Sequence, residues 1–439
     1  MQSNRRNFIK KSTLAIAGTS ASVLFPMELL ATIRKRVGPN DRINVGLIGC
    51  NGMGFSDLTS MLKISEVNVI ALCDVDKSVL EARTADLEKA GLKKPMWYRD
   101  YRKLLENPDI DVVLIGTPDH WHCLQLTDAL MAGKDVYCEK PIANSVQEAN
   151  IMLNYVGSSD RMVQIGQWQR SQPHFVDAIN FVHSGKLGEI RLSKAWAYQG
   201  WMKPVPILPD SAPPEGVDYQ MWLGPAPERS FNPNRFHFNF RWFWDYAGGL
   251  MTDWGVHLID YALYGMKAGT PKSVMALGGK FAYKDDASET PDTLQTVYEY
   301  DGFSILWEHA TGISNGNYGR DHGISFIGNN GTLVLDRKGW EVIPEDDRME
   351  RIPLQKNEGS GLDLHTVNFI EAVKSRDASK LHAPIKVGYD AALVCHMGNV
   401  AFKTGNRIYW DAETGNFKET AANVHLKANY HNGWKLPLV

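Results

Sequence analysis

An alternation between residues 42 and 165 constrains the fold more than any other feature of this sequence. Short apolar runs recur at Ile43–Ile48, Val67–Cys73, Asp111–Gly116, Asp135–Cys138 and Met162–Ile165. Between them lie stretches of helical period: one reaching about Leu62, then Lys77–Ala90, Asp119–Ala132 and Ser145–Val156, the last with Ser145 placed as an N-cap. Apolar strands alternating with amphipathic helices build parallel βαβ units. The expectation is a Rossmann-type doubly wound parallel sheet over residues 42–165.

A chain of 439 residues is too long for that unit alone. After residue 165 the pattern changes. Helix Pro173–Ser184 precedes an alternating strand, Gly188–Tyr198, and then an irregular stretch over 199–240 rich in Pro and Trp. A helical segment follows over Gly248–Tyr264. Strands are expected at Ser273–Lys280, Thr293–Tyr300, Phe303–His309, Gly323–Ile327 and Thr332–Asp336, with a hairpin turn at Asn329-Asn330-Gly331. Two late helices, near Leu364–Ser375 and Tyr389–Thr404, would pack back on the first unit. Residues 166–439 therefore read as an α+β domain with a large, mostly antiparallel sheet.

Charge excludes some functions. The formal net charge is -3 with no long Lys/Arg run, which argues against a nucleic-acid partner. No apolar run of about 18 residues lies outside the N-terminus, so no stable membrane span is expected. The five cysteines, Cys50, Cys73, Cys123, Cys138 and Cys395, form no CxxC pair and sit in or beside apolar runs. They read as small buried hydrophobes.

Four motifs carry chemistry. Gly49-Cys50-Asn51-Gly52-Met53-Gly54 directly follows the first strand. Such a turn lets helix N-terminal amides face a pyrophosphate. The middle glycine of the usual G-x-G-x-x-G is replaced by Asn51, and Gly52 is placed to restore flexibility. Asp74 ends the second strand, 20 positions after Gly54, where a carboxylate can accept from ribose hydroxyls or cap a helix. It is followed by Val75-Asp76-Lys77, with no arginine to receive a 2′-phosphate, which favours NAD over NADP. The second motif, Thr117-Pro118-Asp119-His120-Trp121-His122, lies at a strand's carboxyl end, where open parallel sheets bind ligands. His122 is placed beside the nicotinamide or ribose, or as a helix cap. The two histidines lack a third ligand at metal spacing, so no metal is expected. The third, Glu139-Lys140-Pro141, ends the next strand, where a lysine can polarise or deprotonate a hydroxyl. In the fourth, Asp253-Trp254-Gly255-Val256-His257, helical spacing puts Asp253 and His257 on one face as hydroxyl acceptor and general base.

In this order the motifs resemble the glucose–fructose oxidoreductase/inositol dehydrogenase (Gfo/Idh/MocA) family, over nearly the whole mature chain. The resemblance implies a Rossmann domain plus a mostly β substrate domain whose open sheet face forms dimers, hence a homo-oligomer. It carries the family's lysine to Lys140, and its substrate-binding aspartate and catalytic histidine to Asp253 and His257. Gly49, Asn51, Gly52, Met53, Gly54, Asp74, Thr117, Pro118, His122, Glu139 and Lys140 are expected to bind NAD. A sugar or glycoside would be met by Trp168, Arg170, Arg241, Asp253 and His257. Trp168, Trp196, Trp201, Trp242 and Trp244 cluster in sequence around the presumed cleft, and one or two are expected to stack on a sugar ring.

The N-terminus reads as a separate element. Arg5-Arg6 precede Phe8-Ile9-Lys10 and an apolar run from about Thr13 to Phe25, which resembles a twin-arginine export signal over residues 1–31. Periplasmic residence is the corresponding expectation. NAD is scarce there, so the cofactor would have to be tightly held and recycled in place. The leading expectation is an exported NAD-dependent sugar or glycoside dehydrogenase, with His257 or Lys140 as base. The alternative is an NAD-cycling glycosidase working by oxidation, elimination and re-reduction. A non-catalytic sugar- or NAD-binding protein is the third.

Overall fold

The computed structural model describes residues 42–438; the expected export signal lies outside them. The first unit is a six-stranded parallel sheet in the order β3-β2-β1-β4-β5-β6. Its strands are β1 (Ile43–Ile48), β2 (Val67–Cys73), β3 (Met96–Tyr98), β4 (Val112–Ile115), β5 (Asp135–Cys138) and β6 (Val163–Ile165). Helices α1 (Gly52–Met61), α2 (Lys77–Lys89), α3 (Tyr101–Leu105), α4 (Asp119–Met131) and α5 (Val146–Gly157) connect them. β4 and β5 are buried at every position, as strands covered on both faces must be. Local chemistry starts the helices: Asn51, Asp76 and Ser145 each accept a backbone N–H of the helix that follows. The strand order reverses between β1 and β4, and that switch point opens a crevice at the carboxyl ends.

Helix α6 (Pro173–His183) leads into the second sheet, ten strands in the order β14-β13-β12-β11-β7-β10-β9-β8-β15-β16. They are β7 (Ile190–Gln199), β8 (Ser273–Gly279), β9 (Thr293–Glu299), β10 (Ser304–Thr311), β11 (His322–Gly328), β12 (Gly331–Asp336), β13 (Gly339–Pro344), β14 (Ile352–Lys356), β15 (Ile408–Asp411) and β16 (Asn416–Phe417). Only β7 and β10 pair in parallel; the other neighbours are antiparallel. Helices α7 (Tyr219–Leu223), α8 (Gly249–Asp253) and α9 (Gly255–Met266) lie between β7 and β8. The expected single helix over Gly248–Tyr264 is thus interrupted at Trp254. There Gly255 approaches Cys395 so closely that an added Cβ would lie 3.1 Å from its Sγ.

Two late helices return to the first unit. Helix α10 (Gly361–Ser375) places Phe369, Ile370, Ala372 and Val373 in the same apolar cluster as Val45, Leu47 and Leu114. Helix α11 (Ile385–Thr404) packs between α5 and α9. All five cysteines are buried and unpaired. No helix among the described residues is long and apolar enough to cross a membrane.

Candidate functional site

A cleft of about 640 Å³ runs from the switch point to α8 and α9. Its first end is built by backbone. Gly49 adopts φ +82°, and a Cβ there would stand 2.7 Å from the carbonyl carbon of Gly116, so only glycine fits. Gly52, at φ +48°, opens α1 beside Asn51, whose side chain accepts from the Gly52 N–H. Asn51 itself is extended, so the left-handed turn falls on the two glycines. Gly54 does not line the cleft. Its bare Cα lets α1 pack on the loop, since a Cβ would lie 2.3 Å from the Gly49 carbonyl oxygen. Asn51, Gly52 and Met53 bring the N-terminus of α1 to the cleft. Asp74 lines it too and is half-buried, accepting from the N–H groups of Cys50 at 2.8 Å and Asp76 at 3.0 Å. Burial raises its pKa while those N–H groups oppose the rise. A carboxylate has further lone pairs for ribose hydroxyls. The glycine cradle, the helix N-terminus and this acceptor fit an NAD pyrophosphate and ribose.

A strap from the second unit roofs the Asp74 end. Asp218 donates its N–H to the Val75 carbonyl at 2.9 Å, Arg99 donates to the Gly216 carbonyl, and His237 Nε2 lies 2.9 Å from Asp76 Oδ2. Met221, Trp222, His237 and Phe238 thereby line the cleft. The strap is braced by the chain's last described residues. Asn432 donates to the Gly224 and Ala226 carbonyls at 2.9 Å, and Trp434 stands edge-on to Trp121 at 4.9 Å.

At the other end Lys140, from the end of β5, meets Asp253, from the end of α8. Its Nζ donates to the Asp253 carbonyl at 2.7 Å and to Oδ1 at 2.9 Å. Arg241 Nε donates to the same Oδ1 at 3.2 Å. Burial works to raise the Asp253 pKa, but the two cations outweigh it and hold the carboxyl well below its usual range. His257 is 5% exposed and its Nδ1 has no hydrogen-bond partner. Burial, with Lys140 and Arg337 nearby, drops its pKa well below the ordinary histidine value, so the imidazole is neutral. Trp168 stands beside it, ring centroids 6.3 Å apart. Asp119, in the first turn of α4, is buried and pushed up to about 8, chiefly by desolvation. Glu139 lines the cleft near Asp57; burial raises both carboxyls, and each disfavours ionisation of the other.

Besides Gly54, two sequence expectations are corrected. His122 does not line the cleft. Its ring nitrogens lie 2.7 Å from the Pro141 carbonyl and 2.8 Å from that of Thr117, so it ties together two loops that do. Arg170 does not face substrate either. It makes a bidentate pair with the buried Asp260 at 2.8 and 2.5 Å, and stacks on Tyr264 at 4.0 Å. A buried carboxylate needs such a partner. Of the five tryptophans, Trp168 lines the cleft, Trp196 and Trp242 are core, Trp201 is exposed, and Trp244 is half-buried away from the cleft, donating to the Glu289 carbonyl at 3.1 Å. Sequence reasoning missed Arg337, Asp119 and the strap residues. Asp119 sits inside a motif already singled out, whereas Arg337 comes from a two-residue hairpin turn with no motif to mark it.

A Rossmann crevice joined to a large mixed sheet, with this glycine cradle and acceptor, is the fold of an NAD-binding oxidoreductase family. The family model for the NAD-binding Rossmann fold of this oxidoreductase family matches residues 43–167, and that for its C-terminal alpha/beta domain matches residues 189–436. The chain belongs to the Gfo/Idh/MocA oxidoreductase family. A glycosyl hydrolase family 109 protein of Shewanella pealeana is 28% identical over 208 residues, 43% of this chain and 45% of that protein. The match thus spans less than half of such relatives. Levoglucosan dehydrogenase in complex with NADH and levoglucosan superposes with TM-score 0.62 at 19% identity, over 84% of this chain and 99% of that one. Aldose-aldose oxidoreductase from Caulobacter crescentus, complexed with glycerol, gives 0.61 at 18%, over 84% and 100%. At these identities the likeness to solved structures establishes the fold.

Proposed function

We propose that this protein is an exported, NAD-dependent oxidoreductase that oxidises or reduces a ring hydroxyl of a sugar or glycoside, with His257 as proton acceptor. One observation carries the reading: a neutral, buried imidazole with an unpartnered nitrogen shares a cleft with a lysine ammonium anchored by a carboxylate. Gly49, Asn51, Gly52, Met53, Asp74, Thr117, Pro118, Glu139 and Lys140 would hold the cofactor. When bound, the nicotinamide supplies the hydride acceptor or donor. An ammonium has three N–H groups, and Lys140 commits two to Asp253. The third is free for the substrate oxygen, where it stabilises developing negative charge as His257 takes the hydroxyl proton. Asp253 fixes Lys140 and Arg241; Arg241 and Trp168 hold the sugar.

The strap over the Asp74 end and its brace from the last residues support a cofactor that stays bound through turnover. The paired Arg5-Arg6 before Phe8-Ile9-Lys10 supports export to the periplasm. Met275 and Leu277, with Val297 paired opposite Met275, are exposed on the second sheet and support a homo-oligomer. The second reading, an NAD-cycling glycosidase, is favoured by the glycosyl hydrolase relatives.

The test is to mix purified protein, without added NAD, with a panel of glycosides and follow reduced-nicotinamide absorbance. A rise that stops at one equivalent per subunit is expected. Release of aglycone without net reduction would replace this reading with the cycling glycosidase. Neither response, from protein that releases NAD on denaturation, would sink both.

A further inference from the structure

Arg337 occupies the turn between β12 and β13 and lines the cleft beside His257 and Trp168. Its guanidinium lies 5.1 Å from the Trp168 ring centroid and 4.7 Å from that of Trp254. The Nε is buried without a hydrogen-bond partner. Every nearby carboxylate is engaged elsewhere. Asp336 takes Arg320 at 3.1 Å, Asp321 takes His322 at 2.7 Å, and Asp253 takes Lys140 and Arg241. Among the described residues no carboxylate lies within ion-pair distance of Arg337. A guanidinium held against aromatic faces, with its polar edge unmatched, is a preformed receptor for an oxyanion. The charge of this end agrees. Lys140, Arg241 and Arg337 face Asp253 as the one carboxyl held ionised well below its usual range, while Asp119 is pushed toward neutrality.

We infer that Arg337 is a specificity residue that selects sugars bearing an oxyanion substituent, a carboxylate or a sulfate ester, over their neutral counterparts. The inference rests on the sugar reading above. An arginine enclosed by aromatic rings pairs strongly with planar oxyanions, because little water competes for it. The same group adds to burial and Lys140 in keeping the neighbouring imidazole neutral, because a second cation disfavours charging it.

The test compares matched methyl glycosides in gluco, galacto and manno configuration, each as the neutral sugar, the uronate and the 6-sulfate. NAD-loaded protein is used, with tryptophan fluorescence read for affinity and nicotinamide absorbance for turnover. In at least one configuration a charged member should bind roughly tenfold tighter than its neutral partner, as expected for a charge-assisted pair. Which member wins tells a carboxylate from a sulfate. Arg337→Gln should erase the preference, Arg337→Lys should keep part of it, and added salt should weaken it. Neutral sugars bound or turned over as well as charged ones would overturn the inference and leave the sugar reading intact. A preference that survives in folded, NAD-loaded Arg337→Gln would overturn it as well. Failure of every sugar to bind or react would overturn both.

Discussion

The two walls of the cleft are built on different principles. On the parallel-sheet side, backbone does the work: two left-handed glycines, a helix N-terminus, and residues within a few positions of a strand end. On the opposite side no strand interior reaches the cleft. Side chains arrive from a strap, a helix break and a hairpin turn, and they are held by ion pairs and aromatic faces: Asp253 by Arg241 and by Lys140 from the facing wall, Arg337 by Trp168 and Trp254. A wall of backbone tolerates little sequence change but binds one ligand; a wall of pinned side chains can be re-specified residue by residue. That division fits a family sharing a cofactor while differing in substrate.

The division can be broken by mutation. The largest effect is expected at His257 on the side-chain wall. His257→Ala should lower turnover by roughly 10²–10⁴-fold, the span of a lost general base, while NAD content per subunit stays at the wild-type value. Equal loss of both would show that the two walls are not separable. Next comes Gly49→Ala on the backbone wall. Strain at φ +82° and the approach to Gly116 should weaken NAD retention and stability by about 1–3 kcal/mol. NAD released on denaturation and thermal melts read this directly; a retained cofactor would mean the loop can yield. The smallest effect is at the junction. Asp119 has its folded pKa raised above its unfolded value, to about 8. The native form therefore holds a proton that the unfolded chain has released, so its contribution is present at low pH and lost as pH rises from the ordinary carboxylate range to about 8. Asp119→Asn should flatten the fall in melting temperature over that interval; an unchanged slope would place the titrating group elsewhere.

The contrast also explains what the sequence makes legible. The parallel unit can be read almost strand by strand, because most of its strands are apolar runs and most of its helices have their own cap, as at Asn51, Asp76 and Ser145. The edge strand Ile352–Lys356 and the short strand Ile408–Asp411 escape such a reading, because strands this short and partly exposed lack the apolar run that marks a strand. Asp253 and Lys140 are expected at one site, and the structure joins them. Arg170 cannot be told from Arg241 in sequence, since both lie among tryptophans. Only the fold shows that buried Asp260 claims the first and Asp253 the second. Arg337 is invisible in sequence because its significance is an absence, the missing carboxylate, which no linear motif encodes.

The return of α10 to the first sheet has a consequence in time. Asp363 reaches back across 300 or more positions to Ser60 and Lys63, and Phe369 and Ile370 complete the apolar layer over β1 and β4. A nascent chain presents its nucleotide-binding half first but cannot cover that flank until the later residues have left the ribosome. Contacts of such separation fold slowly and leave apolar surface bare meanwhile. The nucleotide-binding half is thus finished by the half that follows it.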